Sequence, residues 1–430
     1  MKRPRWIKTA AWALVASLAG ATAWGQTFTW TGIGNGWANQ TPPDGGGDDI
    51  ILLSDAIDTR IDLSALGSSL AIQSMSIDFS DAYVLGASSP FTLSVSQGIF
   101  GTPSDNASLR FNAEVTVALS GTPTISAGAS GRSFHFFGQL TGSPTTLTLA
   151  GPNNSNLWFN NAGNTYTGNT VIGSAAGTPS LFIWNSSPFG TGDVSFYQHG
   201  FLGINGAQTI TNNLTVGTGA AGNLTLRSYS DPIVYSGSVT LANNTTLSTN
   251  VGSPVIDFAN GMGSLLIPGL IERNPHLFTG NVGESGGSRM LTVAGPGITI
   301  LNPTMGTNTY TGGTNVTGTL VFGSLAAIPA TGVVQAGAVN TSNAGGYVGL
   351  ADVTPGNFAT FLARIQNTAN GANSSGSVGV DTLPGDSIVT LTDAINLSGF
   401  TTTAGNGMRL GTATQAIITG AITPDNLANY

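Results

Sequence analysis

Short runs in which apolar positions alternate with Thr or Ser recur along the chain: 92–95 (TLSV), 115–117 (VTV), 147–149 (LTL), 214–216 (LTV), 224–226 (LTL), 239–241 (VTL) and 291–293 (LTV). A period of two buries one set of side chains and leaves the other in water, so each run predicts a β-strand. Turn signals stand between them: Asn pairs at 153–154, 160–161, 212–213 and 243–244, and many of the 61 glycines. Strands of three to five residues at this spacing suit a solenoid, a sandwich or a barrel. One stretch has a helical period instead. Phe358, Phe361, Leu362 and Ile365 follow i, i+3, i+4, i+7. They predict a short amphipathic helix over 357–365, with Asn357 as its cap, inserted on the flank of a β array.

Internal repetition decides among the β architectures. Residues 147–170 (LTLAGPNNSNLWFNNAGNTYTGNT) and 291–314 (LTVAGPGITILNPTMGTNTYTGGT) align without a gap and are identical at 12 of 24 positions. A further strand follows each copy, at 180–183 (SLFI) and 319–322 (TLVF). Self-similarity of this kind marks stacked repeats, each of which buries its apolar face against the next. At roughly 20–25 residues per coil, about 400 residues would give 16–20 coils and a rod of about 80–95 Å.

The blocks 164–173 (NTYTGNTVIG) and 308–323 (NTYTGGTNVTGTLVFG) resemble the autotransporter-associated β-strand repeat. The second copy fits that pattern well. The first departs at Asn169 and has a longer stretch before Leu181. The resemblance implies a right-handed parallel β-helix in an exported Gram-negative surface protein, and it says little about activity. In the residues' own terms, Asn-Thr and Thr-Gly corners turn the chain, and the tyrosines are expected to cover the coil edge.

The expected organisation is a leader at 1–25, an N-terminal cap with first strands at 26–80, the repeat array at 81–340 with motifs near 147–183 and 291–323, and continued β-helix at 341–430. Trp30 and Trp37 would cover the first coil. The last residues show no capping pattern, translocation barrel or sorting tail, which suggests a fragment.

Residues 1–25 read as a secretory signal. Lys2, Arg3, Arg5 and Lys8 precede an apolar run of twelve at 10–21, and small residues allow cleavage after Ala23 or, preferably, Gly25. Twelve apolar residues fall short of the ~20 a membrane span needs, though an uncleaved anchor is the competing reading. No cysteine is present, so disulfides and thiolate chemistry are excluded. Charged residues make up 7% of the chain, against about 25% in ordinary domains. Taking the four leader cations from the twelve leaves eight arginines against twenty acids, a net −12. Such a chain has no electrostatic footprint for nucleic acid.

Candidate chemistry is thin. Gly283-Glu284-Ser285-Gly286-Gly287 matches G-x-S-x-G, but no helix pattern follows it, and one match is expected by chance among so many glycines. His135, His199 and His276 lack partners at metal-ligand spacing and read as packed or surface residues. Asp44, Asp48 and Asp49 lie in a Gly-rich turn that offers oxygen ligands to Ca²⁺, although a solvated turn is the favoured reading. Polysaccharide lyases share the β-helix, yet the arginines (Arg60, Arg110, Arg132, Arg227, Arg273, Arg289, Arg364 and Arg409) are scattered in sequence. No catalytic, cofactor or metal residue is assigned. The expectation is a structural or adhesive surface scaffold that contacts glycans or cell-surface and matrix proteins. The alternative is a secreted carbohydrate-active β-helix, lyase- or hydrolase-like. Arginine and aspartate converging in one groove would favour the enzyme, and a uniform Thr/Ser/Asn surface the scaffold.

Overall fold

The computed structural model describes residues 27–30, 50–54, 60–78, 83–101, 108–128, 130–161, 163–184, 187–229, 232–251, 275–338, 345–367, 369, 374–400 and 408–424. The leader at 1–25 and the Asp44, Asp48 and Asp49 turn lie outside them.

The chain is an all-β parallel solenoid of about 12 turns, consistent with a right-handed β-helix. Each of the alternating runs named above falls within a strand, and the alternation is the winding rule. In Val115–Leu119 and Thr146–Ala150, every second side chain points into the coil and is buried. Strands pair in parallel with the next turn, from Thr27↔Ile50 at one end to Val378↔Leu410 near the other. Among the described residues they stack into faces of 13, 12 and 8 strands, with two further two-stranded sheets. The third face is strand-paired from Gln208–Ile210 onwards. Inside, Phe111, Phe136 and Phe159 stack in register at 4.8 and 5.8 Å, one ring per turn. The core is therefore a column of short contacts rather than a centre.

The estimate of 16–20 coils is too high. Many cross-turn bonds span 23–25 positions, as in Ser64–Ser88, but other turns are longer. Thr279, for example, bonds back to Tyr235 across 44 positions. At about 4.8 Å per turn, 12 turns rise about 58 Å.

Asn357–Arg364 is a helix, and Phe358, Phe361, Leu362 and Ile365 are all buried as the spacing required. The cap differs. Gly356 holds that position at φ 87°, and Asn357, already helical, donates to Asp352 Oδ2 at 2.7 Å. The helix is fastened to the coil by Ile365, which bridges in parallel to Val334.

The repeated Asn-Thr-Tyr-Thr-Gly block is an internal clamp. Asn164 Oδ1 accepts the Leu140 amide of the preceding turn at 2.9 Å, and its Nδ2 donates to the Pro188 carbonyl of the following turn at 2.6 Å. Asn308 does the same with the Val282 amide at 2.7 Å and the Ala327 carbonyl at 2.5 Å. One buried side chain thus ties three turns. The tyrosines do not cover the coil edge. Tyr166 and Tyr310 lie in the core, 1% and 0% exposed, because the ring is large and apolar and the buried hydroxyl finds a threonine partner. Glycine follows because the turns touch there. A Cβ on Gly168 would lie 1.9 Å from the Pro144 carbonyl oxygen.

The two copies occupy different faces. Thr146–Ala150 and Asn169–Ile172 belong to the first, whereas Leu291–Ala294 and Thr314–Val316 belong to the second. The same clamp forms one face further round the axis, so the motif specifies a corner and its stacking, not a face.

Candidate functional site: an aromatic stripe on the second face

Outward positions on the second face line up because the register between turns is strict. Arg110 pairs with His135, His135 with Trp158, Trp158 with Phe182, Phe182 with Gly203, and Gly203 with Arg227. Residues 117 positions apart in sequence therefore share one column, with Arg110 and Arg227 five turns, or about 24 Å, apart.

Between the arginines the column is filled by stacked rings. His135 lies on Trp158 at 5.3 Å and 11°, and Trp158 on Phe182 at 4.1 Å and 12°. Gly203 then leaves room for rings from the side. A Cβ there would sit 2.9 Å from Phe182 and 3.1 Å from both Phe201 and Tyr229. Phe201 tilts against Phe182 at 5.4 Å and 52°.

A second column runs two residues further along each strand, on the same side of the sheet. There Asn112, Asn160 and Asn205 alternate, turn by turn, with Phe137, Trp184 and Tyr229, and each amide continues the ladder to the turn before. The columns interlock. The Arg110 guanidinium covers the Phe137 ring at 3.9 Å, and that of Arg227 lies 4.9 Å from the Tyr229 ring centre. Trp184 is different. It meets Trp158 at 6.0 Å but is turned 45° from it, and it is 47% exposed.

The six strands that build the stripe, from Ser108–Phe111 to Gly222–Ser228, contain no Asp or Glu, in a chain with twenty acids. Burial and, secondarily, the Arg110 charge push the His135 pKa down, so its ring is neutral at pH 7. The permanent positive charge is thus confined to the two ends. Trp158 Nε1, Asn160 Oδ1 and Arg227 Nε are covered and make no hydrogen bond.

The other sequence candidates do not converge. Ser285 of the G-x-S-x-G match sits in a turn after Val282–Glu284, and the next element is another strand, not a helix. Glu284 organises that turn by accepting the Arg289 amide at 2.6 Å and the Thr311 hydroxyl at 2.7 Å. His199 is exposed, whereas His276 is buried against Tyr235, whose hydroxyl meets Nδ1 at 3.2 Å. Arg132, Arg289 and Arg364 direct guanidinium donors to backbone carbonyls. Among the described residues, no group of three His, Cys, Asp or Glu is placed to hold a metal ion. No described helix is long and apolar enough to cross a membrane. A shallow depression of about 400 Å³ beside Gln139, Thr165 and Thr191 includes Asn164, whose amide is already spent on the clamp.

Sequence reasoning read His135 as locally packed because Phe134 and Phe136 flank it. Those two phenylalanines point inward, while His135 faces outward and stacks on the next turn. The available signal was the spacing of His135, Trp158 and Phe182, which is close to one turn each.

Compared with known proteins, no family model, curated protein or solved structure matches the chain.

Proposed function

We propose that this protein is an exported structural or adhesive scaffold, passenger-like in design, that presents a long stiff β-helical surface to glycans or to cell-surface and matrix proteins. The observation that carries the reading is the clamped coil itself. Successive turns are joined by continuous parallel ladders and by buried Asn164 and Asn308 side chains that each tie three turns. Such an array has no need of disulfides, and the sequence has no cysteine. The leader pattern at 1–25 and the resemblance of 308–323 to the autotransporter-associated repeat support export. The described surface offers a ring-lined stripe whose strands carry no Asp or Glu, rather than a groove of converging acids and bases.

Intact mass and peptide mapping of cell-surface and culture-medium fractions test this. The expected result is a chain beginning at Trp24 or Gln26, accessible to protease on intact cells or free in the medium. A chain that keeps residues 1–25 and stays in the cytosol would overturn the proposal. Release of new reducing or unsaturated ends from a polysaccharide by the purified protein would favour the carbohydrate-active alternative.

A further inference from the structure

The stripe on the second face has two parts with different roles. Where rings lie flat on one another, from His135 through Trp158 to Phe182, both faces of Trp158 and one face each of His135 and Phe182 are covered by the next ring. Those rings stabilise the stack of turns, and the central one, Trp158, offers no plane to a ligand. Trp184 has left the stack. It stands 45° off Trp158 with nearly half its surface exposed, and Asn160 and Asn205 occupy the same column on the turns before and after it. An exposed indole with a carboxamide on either side is matched to a sugar ring. The apolar C–H face of a pyranose covers the indole, and its hydroxyls come within reach of the amide donors of the column, Asn160 Oδ1 itself being covered.

The charges narrow the class. Counting along the register, Arg110 lies three turns from Trp184 on one side and Arg227 two turns on the other, about 14 and 10 Å along the axis. No carboxylate intervenes on the strands between. A neutral glycan would leave both arginines unused. An extended chain carrying carboxylates at intervals would meet one at each end while stacking on the ring between. Single-stranded nucleic acid also pairs rings with cations, but it needs several open ring faces in succession, and here the neighbouring faces are closed by stacking.

We infer that Trp184, Asn160 and Asn205, bracketed by Arg110 and Arg227, form a binding site for an acidic, uronate-containing polysaccharide chain laid along the axis of the coil. The site names the partner class of the scaffold proposed above. Because it is tested on purified protein, its failure leaves the localisation result untouched.

The experiment is affinity electrophoresis of the native protein through gels containing polygalacturonate, with pullulan as the neutral glycan and oligothymidine as the alternative polyanion. Polygalacturonate is expected to retard the native protein, and Trp184→Ala to weaken the retardation about tenfold, the scale of one lost aromatic contact. The double variant Arg110→Gln/Arg227→Gln is expected to weaken it too and to flatten its salt dependence. The inference fails if polygalacturonate does not retard the native protein, if pullulan or oligothymidine retards it equally, or if both variants run as the native protein does. Thermal melts accompany each variant. Should Trp184→Ala lose its cooperative melt, the arginine pair, which lies outside the core, decides.

Discussion

The Tyr166 hydroxyl lies 2.7 Å from the Thr170 hydroxyl inside the coil, and both side chains are buried. The same pair recurs 144 residues on as Tyr310 and Thr314, again at 2.7 Å, on a different face of the solenoid. Burial pushes both phenol pKa values up, so the hydroxyls stay protonated and the bond stays neutral. Removing one partner leaves the other buried and unsatisfied, at a cost of about 1–3 kcal/mol, while removing both at constant shape is nearly neutral. Tyr166→Phe and Thr170→Val should each destabilise the protein, and the double variant should be more stable than the sum of the singles implies. Urea denaturation of the four proteins measures this. Additive losses would mean the two hydroxyls do not depend on each other.

Asn164 should matter more than Tyr166. Asn164→Ala strands a buried amide on Leu140 and a buried carbonyl on Pro188 together, for an expected loss of about 2–4 kcal/mol. Hydrogen exchange gives a local readout. The Leu140 amide should exchange much faster in the variant, while amides several turns away, around Leu214, keep their protection.

His276 makes stability depend on pH. Burial pushes its pKa down to about 4, and the side chains paired with it across the turns, Ile233 and Thr299, are not titratable. Tyr235 beside it remains protonated because burial raises its pKa. Between pH 6.5 and about 4 the unfolded chain binds a proton that the folded chain does not, so this contribution is complete above pH 6.5 and lost as pH falls to about 4. The full span is worth about 3 kcal/mol. The melting temperature should fall across that window in the native protein and fall less in His276→Phe.

Asp381 fastens the later turns. This buried carboxylate accepts the Tyr347 hydroxyl at 2.6 Å and the amides of Ala413 and Thr414 at 2.8 and 2.9 Å. Asp381→Ala would leave these donors unpaired and should cost about 3 kcal/mol locally. Limited proteolysis should then cut between 382 and 424 sooner than in the native protein, with the turns before 340 unaffected.

The architecture was legible because its signal is local. Alternation in runs such as 115–117 gives strands whatever their partners, and the 147–170 and 291–314 copies point to stacking. What the copies did not reveal was which way Tyr166 points, since the same spacing serves an edge cover or a core plug. The burial of its hydroxyl became intelligible only with Thr170 in place. The number of turns was missed because some turns span many more residues than others, as from Tyr235 to Thr279, and nothing in the alternation marks their length. The aromatic stripe was hidden for a different reason. His135, Trp158 and Phe182 are strangers in sequence, and only the cross-turn register makes them neighbours.

That register is the central claim, because every functional reading here depends on distant residues sharing one face. The absence of cysteine allows it to be measured directly. Arg110→Cys/Arg227→Cys, labelled with nitroxides, should give a narrow distance distribution by pulsed electron paramagnetic resonance, centred within the reach of the two label linkers of about 24 Å, the rise of five turns. A broad distribution, or a narrow one centred far from that value, would contradict the in-register coil and the stripe built on it.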